Sequence, residues 1–346
     1  MAGVNRREFL QAGALAAPAF LSGSAAAAQE TSNAAPAKKL RVDAYSRTLH
    51  WLRTPQEVAE ACHQIGHTTI DLTVRAYPGH VQPEKVTTDL PPFLKTLAQN
   101  GITVTSMAAD IVDANTPYIE EMLGTASSLG IRYNWWRGFA LDYAKPYPPQ
   151  IEALKPRLAA LVKLQEKHGM KAMYHPQGGP MFDQLELIRN FDPRYVSLHF
   201  DTGHWIQITQ SNMAAMIMLA VPYVGGFVWK DGVVEKHDPA GASSPAAAER
   251  GGRGGGSGRG GRGGGVNGWS TLQVPIGTGM VDVALAARTL KSIGFDGPTE
   301  CQPEWQGLGG AEQGRDTLTV PRETVIGLLK RDYETVHGAL VAAEIA

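Results

Sequence analysis

The chain has little that would staple, anchor or polarise it. Two cysteines, Cys62 and Cys301, occur in 346 residues. Two are too few for a disulfide framework or a thiolate zinc site, and each reads as a small buried hydrophobe. Neither sign of charge is in excess. Thirty-two Lys and Arg stand against 33 Asp and Glu, for a net charge of −1, so no basic face selects nucleic acid or an anionic membrane. Past the N-terminus no apolar run approaches the ~20 residues of a membrane span. The first predicted strand leads into Ser46-Arg47-Thr48-Leu49-His50, not into the glycine-rich phosphate turn of a dinucleotide-binding sheet. What the chain does have is core material. At 43% hydrophobic and 19% charged residues, a sizeable interior is available and global disorder is excluded.

The N-terminus reads as an address. Arg6-Arg7-Glu8-Phe9-Leu10 is a twin-arginine export pattern, followed by a short apolar run from Ala12 to Leu21 and by small residues from Ala25 to Ala28. Residues 1–28 are therefore expected to be a removable signal peptide, and the mature protein to be periplasmic or otherwise exported. Removing them takes away Arg6, Arg7 and Glu8 and moves the net charge from −1 to −2. This pathway carries folded proteins, often with a metal or cofactor already inserted. Residues 29–39 form a polar, Ala/Pro-rich linker.

From Leu40 a rhythm sets in. Short β-rich runs are expected at 40–46, 68–74, 102–107, 131–137, 170–174, 195–200, 226–230 and 298–302. Helical stretches are expected at 55–65, 92–100, 116–129, 149–168, 182–190, 212–220, 281–293 and about 322–341. Gly66, Gly101, Gly130, Gly169 and Gly294 mark the helix-to-strand joints, where a left-handed cap turns the chain back. Eight β/α units in residues 40–346 predict an α/β fold, a (β/α)8 TIM barrel; a doubly wound open sheet is the runner-up. Residues 240–265 are low-complexity Gly/Arg/Ser with nothing to bury, expected to be a disordered loop insertion. Arg250, Arg253, Arg259 and Arg262 lend the tract an RGG-like look, and such tracts bind RNA; a tolerated surface loop is the favoured reading.

A barrel of this kind works at the C-terminal ends of its strands, and polar residues crowd there. His175 and Gln177 follow strand five, Asp201 and His204 strand six, Lys230 and Asp231 strand seven, and Glu300, Gln302 and Glu304 strand eight. Arg137 ends strand four, and His80 lies in the loop after strand two. Imidazoles and carboxylates in such a ring hold a divalent metal with positions open for substrate oxygens. A lysine or carboxylate beside it moves a proton next to a polarised carbonyl. Trp136, Trp205, Trp229 and Trp305 offer flat faces for sugar rings, or serve as packing.

These stretches resemble a known family. Asp71-Leu72-Thr73-Val74-Arg75, Tyr174-His175-Pro176, Phe200-Asp201-Thr202-Gly203-His204, Trp229-Lys230-Asp231, residues 274–279 and residues 294–298 are similar in order and spacing to the xylose-isomerase-like (AP endonuclease 2-type) TIM barrels, the sugar phosphate isomerases/epimerases. The resemblance spans residues 40–340 apart from the Gly/Arg tract. It implies a barrel-mouth divalent metal, most often Mn²⁺, with Zn²⁺, Co²⁺ or Fe²⁺ as alternatives, held by Glu, Asp, His and Glu from strands five to eight. Carried over, Asp201 matches the Asp, His175 stands at the strand-five position, and Glu300 or Gln302 at the strand-eight position. The strand-seven His is Val228 here, so the expected metal ligands are His175, Asp201, Glu300 and Gln302, with one member of the usual set missing.

The expected function is an exported isomerase or epimerase for a sugar or keto-sugar, working by metal-assisted proton abstraction next to a carbonyl. Lys230, His204 and Glu304 are the expected acid/base groups. Arg137, His80, Gln177, Trp229 and Trp305 are the expected substrate contacts. A keto-sugar lyase on the same barrel and a non-catalytic carbohydrate-binding barrel are the alternatives. The expected partner is a small carbohydrate, with no nucleic acid and no membrane span; the resemblance also admits a homodimer.

Overall fold

The β-rich runs close into a barrel. In the computed structural model the strands are β1 (Val42–Tyr45), β2 (Thr69–Val74), β3 (Thr103–Ile111), β4 (Tyr133–Trp136), β5 (Lys171–Tyr174), β6 (Val196–Asp201), β7 (Val224–Trp229) and, last in the chain, β10 (Thr299–Cys301). They pair in parallel and in order, and β10 returns to β1. Each expected strand is present. Two further strands, β8 (Asp231–Lys236) and β9 (Trp269–Val274), form a separate antiparallel hairpin. The structure describes residues 39–142, 144–175, 181–208, 213–236 and 269–346. The expected signal segment, nearly all of the linker, the Gly/Arg tract and Gln177 lie outside the described residues.

Around the barrel run α1 (Pro55–Ile65), α2 (Val86–Gln99), α3 (Ile119–Ser128), α4 (Tyr147–His168), α5 (Met181–Ile188), α6 (Thr202–Ile208), α7 (Met213–Ala220), α8 (Val283–Ser292) and α9 (Arg322–Ala342). Local chemistry sets their ends. Thr54 accepts the Glu57 N–H at 3.2 Å, and the Glu57 carboxylate accepts the Thr54 N–H at 2.9 Å, a reciprocal cap that starts α1. The joint glycines Gly66, Gly101, Gly130, Gly169 and Gly294 all take positive φ. α2 starts six residues before the expected Pro92, because Pro91 and Pro92 lie inside the helix. Among the described residues no helix is long and apolar enough to cross a membrane. Cys62 and Cys301 are free and buried. Burial pushes the Cys62 thiol up to about 12 and raises that of Cys301 well above its usual value, so neither is a thiolate.

The main core lies between strands and helices, built from residues such as Leu72, Phe200, Phe227 and Trp229. Inside the barrel the apolar content is small: Tyr45, Ala108, Trp135 and Met173 form one cluster. Much of the rest of the interior is polar. Asp43, Thr69, Asp71, His199, Glu300 and Gln302 are all buried, where branched aliphatics fill most barrels. Burying such groups costs free energy unless hydrogen bonds, a shared proton or a cation compensates. This polar interior is where the fold departs from a purely structural barrel.

Candidate functional site

The end of β6 carries a four-residue device, Asp201-Thr202-Gly203-His204. Asp201 Oδ1 accepts the N–H of Gly203 at 2.9 Å and of His204 at 3.1 Å, the cap that starts α6. Thr202 Oγ1 donates to the Lys230 carbonyl at 2.7 Å and accepts the Lys230 N–H at 2.8 Å, which ties β6 to the end of β7. Gly203 keeps space open, since a Cβ there would stand 2.7 Å from Lys230 Cβ. Lys230 thereby reaches Asp201 Oδ2 at 2.9 Å and Glu304 Oε2 at 3.1 Å. Glu304 Oε1 pairs with Arg47, and His204 Nδ1 lies 3.5 Å from Asp201 Oδ2. Burial alone would raise the Asp201 carboxyl, but His204 and Lys230 outweigh it and hold the carboxyl below its ordinary value. Asp231, the other half of the Lys-Asp pair, faces away from this group. It accepts the N–H groups of Gly232, Gly277, Gly279 and Val281 at 2.8–3.0 Å and anchors the loop that follows β9.

Deeper in the barrel, His175, His199 and Glu300 each present a donor atom within 4.8 Å of the others, and all three are buried. His175 Nδ1 is 3.4 Å from His199 Nδ1, and His199 Nε2 is 3.5 Å from Glu300 Oε1. Ligands ~2.1 Å from a tetrahedral ion stand roughly 3.4 Å apart, so the spacing fits a divalent metal. The chemistry fits as well. Burial pushes His199 down to about 3, which keeps it a neutral imidazole. Burial, and then the charge of Asp71, raise Glu300 well above its ordinary value. Its Oε2 has no hydrogen-bond partner among the described residues. A buried carboxyl with an unused oxygen, raised by its surroundings and set beside the neutral His199 and the His175 ring, is a donor set that a cation satisfies.

Asp201 and Gln302, expected as ligands, stand outside this triad for a physical reason. Strand register puts Val228 between Asp201 on β6 and Glu300 on β10, so an apolar side chain separates the two carboxylates. Asp201 is paired with Lys230 instead. Gln302 donates its amide to Glu300 and orients it. The missing strand-seven imidazole is supplied by β6. His199 lies opposite Gly226 of β7, and a Cβ on Gly226 would come within 2.6 Å of His199 Cδ2. The glycine makes room for the ring. His175 is fixed by stacking on Trp135, with ring centroids 3.9 Å apart and planes 18° from parallel. Trp135 in turn donates Nε1–H to Asp71 at 2.6 Å.

Above the triad a cavity of about 200 Å³ opens at the barrel mouth. Its lining includes Tyr45, Arg47, Arg75, Asp110, Trp135, Arg137, His175 and Glu304. Of the residues expected to touch substrate, Arg137 lines it. Trp229 does not: it points outward from β7 and donates to Thr299 at 3.1 Å. Trp305 donates to buried Asp332 at 2.7 Å, also away from the lining. Gln177 lies outside the described residues. His80 is buried between His50 and Phe93, with Nδ1 on the Thr73 hydroxyl at 3.0 Å. The sequence reading missed His199 as a ligand and Arg47, Arg75 and Asp110 as lining. The available signal for His199 was parity, since it sits two residues before Asp201 on the same face of β6.

His80 yields a pH prediction. Burial, foremost, lowers it to about 3 in the folded chain, against about 6.5 when unfolded. Between those values the unfolded state binds the extra proton, so stability falls as pH drops from 6.5 towards 3. His80→Gln is expected to make the stability-versus-pH slope between pH 4 and 6 shallower by up to about 1.4 kcal/mol per pH unit, one proton's worth. Urea unfolding at three pH values checks this; an unchanged slope would show that His80 already charges in the native state.

The comparisons with known proteins agree with this architecture. A profile of the xylose isomerase-like TIM barrel family matches residues 35–320. No curated protein matches the chain. Solved structures superpose on it at low identity. D-psicose 3-epimerase from Clostridium cellulolyticum H10, solved with D-tagatose, has a TM-score of 0.57 at 12% identity, covering 87% of this chain and 99% of its own. The 3-keto-D-glucoside 4-epimerase from E. coli gives 0.54 at 11%, covering 84% and 98%. A xylose isomerase-like TIM barrel protein from Mycobacterium smegmatis, in complex with magnesium, gives 0.55 at 16%, covering 88% and 97%.

Proposed function

This chain belongs to the xylose isomerase-like TIM barrel family, and from that premise we propose that it is a carbohydrate-processing enzyme that isomerises or epimerises a sugar or keto-sugar. The observation that carries the reading is the stacking of two groups beneath and beside one cavity. The triad His175, His199 and Glu300 lies below, and Glu304, backed by Lys230 and Asp201, lines the side. His175, His199 and Glu300 would hold a divalent ion, which would supply Lewis-acid polarisation of a carbonyl. The chain's own residues do the rest. Glu304 lines the cavity, flanked by Arg47 and Lys230, and is the group that takes the proton from the carbon next to the carbonyl. Lys230 returns it or steadies the charge that develops. Asp201 fixes Lys230, and His204 backs Asp201. Trp135 holds His175 at the cavity floor. The 3-epimerase and 4-epimerase among the similar structures support a reaction of this class. The twin-arginine pattern of residues 6–10 supports an exported protein acting on free or glycosidic sugars.

The test is proton exchange. Residues 29–346, loaded in turn with Mn²⁺, Zn²⁺, Co²⁺ or Fe²⁺, are incubated in D2O with a panel of ketoses, aldoses and 3-keto-glycosides. Deuterium is then followed by NMR at the carbon beside the carbonyl. Wash-in that needs metal, and that falls 10²–10⁴-fold in Glu304→Gln, is the expected result. Metal uptake with sugar binding and no wash-in for any member would leave a carbohydrate-binding barrel in place of an enzyme.

A further inference from the structure

The mouth cavity carries more positive charge than a neutral sugar needs. On one wall two guanidiniums share a single carboxylate. Arg137 Nη1 lies 2.5 Å from Asp110 Oδ1, and Arg75 Nη1 lies 3.9 Å from the same oxygen. Arg75 is held in place: its Nε donates to the Pro78 carbonyl at 3.1 Å and its Nη2 to the Tyr45 hydroxyl at 3.0 Å. Arg137 Nε is buried without a hydrogen-bond partner among the described residues. Arg47 and Glu304, paired with each other, also line the cavity, with Lys230 and then Asp201 behind Glu304. Among the lining residues three guanidiniums therefore stand against two carboxylates, and the excess falls on the Arg75/Arg137 side. The one carboxylate there, Asp110, is also the most solvated, at 46% exposure against 9% for Arg75. Water screens Asp110 more than it screens Arg75, so the wall attracts anions.

We propose that the substrate is an acidic sugar, and that Arg75 and Arg137 bind its carboxylate and so fix which end of the molecule faces the triad. The proposal rests on the carbohydrate reading above and deepens it. A planar carboxylate matches the guanidinium fork, accepting two parallel N–H bonds, and both arginines have donors left for it. Fixing one end of the substrate sets which carbon lies over His175 and next to Glu304, which is regiospecificity by orientation. A phosphate shares the anionic chemistry, and the experiment separates the two.

The experiment is binding, measured by calorimetry on residues 29–346 both metal-loaded and chelator-treated. The probes are three acid/parent pairs, glucuronate with glucose, galacturonate with galactose and gluconate with glucitol, together with glucose 6-phosphate. At least one acid is expected to bind tenfold or more tightly than its parent in both metal states, with the preference shrinking between 20 and 300 mM NaCl. Arg137→Gln and Arg75→Met are each expected to weaken the acid far more than its parent, so that the preference falls below threefold. Equal affinities within every pair, no binding of any acid at 10 mM, tighter binding of glucose 6-phosphate than of every acid, or equal weakening of acid and parent in both variants would overturn the proposal. Neither metal content nor turnover enters the readout. A failed deuterium wash-in therefore sinks the catalytic reading alone, and a missing acid preference with wash-in intact sinks this one alone.

Discussion

His199→Ala is expected to lower bound metal from about one ion per chain to below about a tenth after dialysis, and to slow catalysis by at least about 10³-fold. The size of the effect follows from what the ring does. His199 is one of three donors, it is neutral because burial pushes it to about 3, and Gly226 leaves room for its ring. Asp201 does not replace it, because Lys230 already sits 2.9 Å from its outer oxygen. Metal uptake in the wild type should also tighten as pH rises, since burial, and then the charge of Asp71, raise Glu300 well above its ordinary value and a cation takes the charged form. The alanine leaves a cavity as well, so thermal stability is compared in chelator-treated samples to separate packing from metal. Elemental analysis beside Asp201→Asn decides the matter. Metal retained in His199→Ala and lost in Asp201→Asn would move the centre to Asp201 and refute the triad.

Lys230→Met is expected to cost about 3–5 kcal/mol of stability and 10²–10⁴ in rate. The ammonium is shared between Asp201, which is completely buried, and Glu304. Removing it leaves one buried carboxylate uncompensated and frees the other from its flank. The double variant Lys230→Met/Asp201→Asn removes the stranded charge too, so it should recover most of the stability, to within about 2 kcal/mol of wild type, and none of the activity. Denaturant unfolding paired with deuterium wash-in separates the two effects. A double variant as unstable as the single one would mean that Lys230 acts by packing and not by charge.

Much of the barrel was legible in the chain because its signals are local. Each strand is a short β-rich run, α1 carries its own capping box, and a joint glycine takes the same left-handed turn wherever it stands. Where local rules misled, a specific feature is responsible. Pro91 and Pro92 read as a helix start although α2 runs through them. The hairpin of β8 and β9 escaped notice because its two strands meet across more than 30 intervening residues.

The site divides along the same line. The sequence by itself determined that polar groups, Asp201, His204 and Lys230 among them, gather at the strand ends, and that the strand-seven histidine is absent at Val228. Only the tertiary structure decided which groups form the metal triad. That choice depends on register between strands, which puts Val228 between two carboxylates, and on Gly226 opening room for an imidazole from the neighbouring strand. It also turned Asp231 and Trp229 away from the cavity and brought Arg75, Asp110 and Arg137 onto one wall. Alternation along a strand is written in consecutive residues, whereas the company a side chain keeps is set by the stagger of strands distant in sequence.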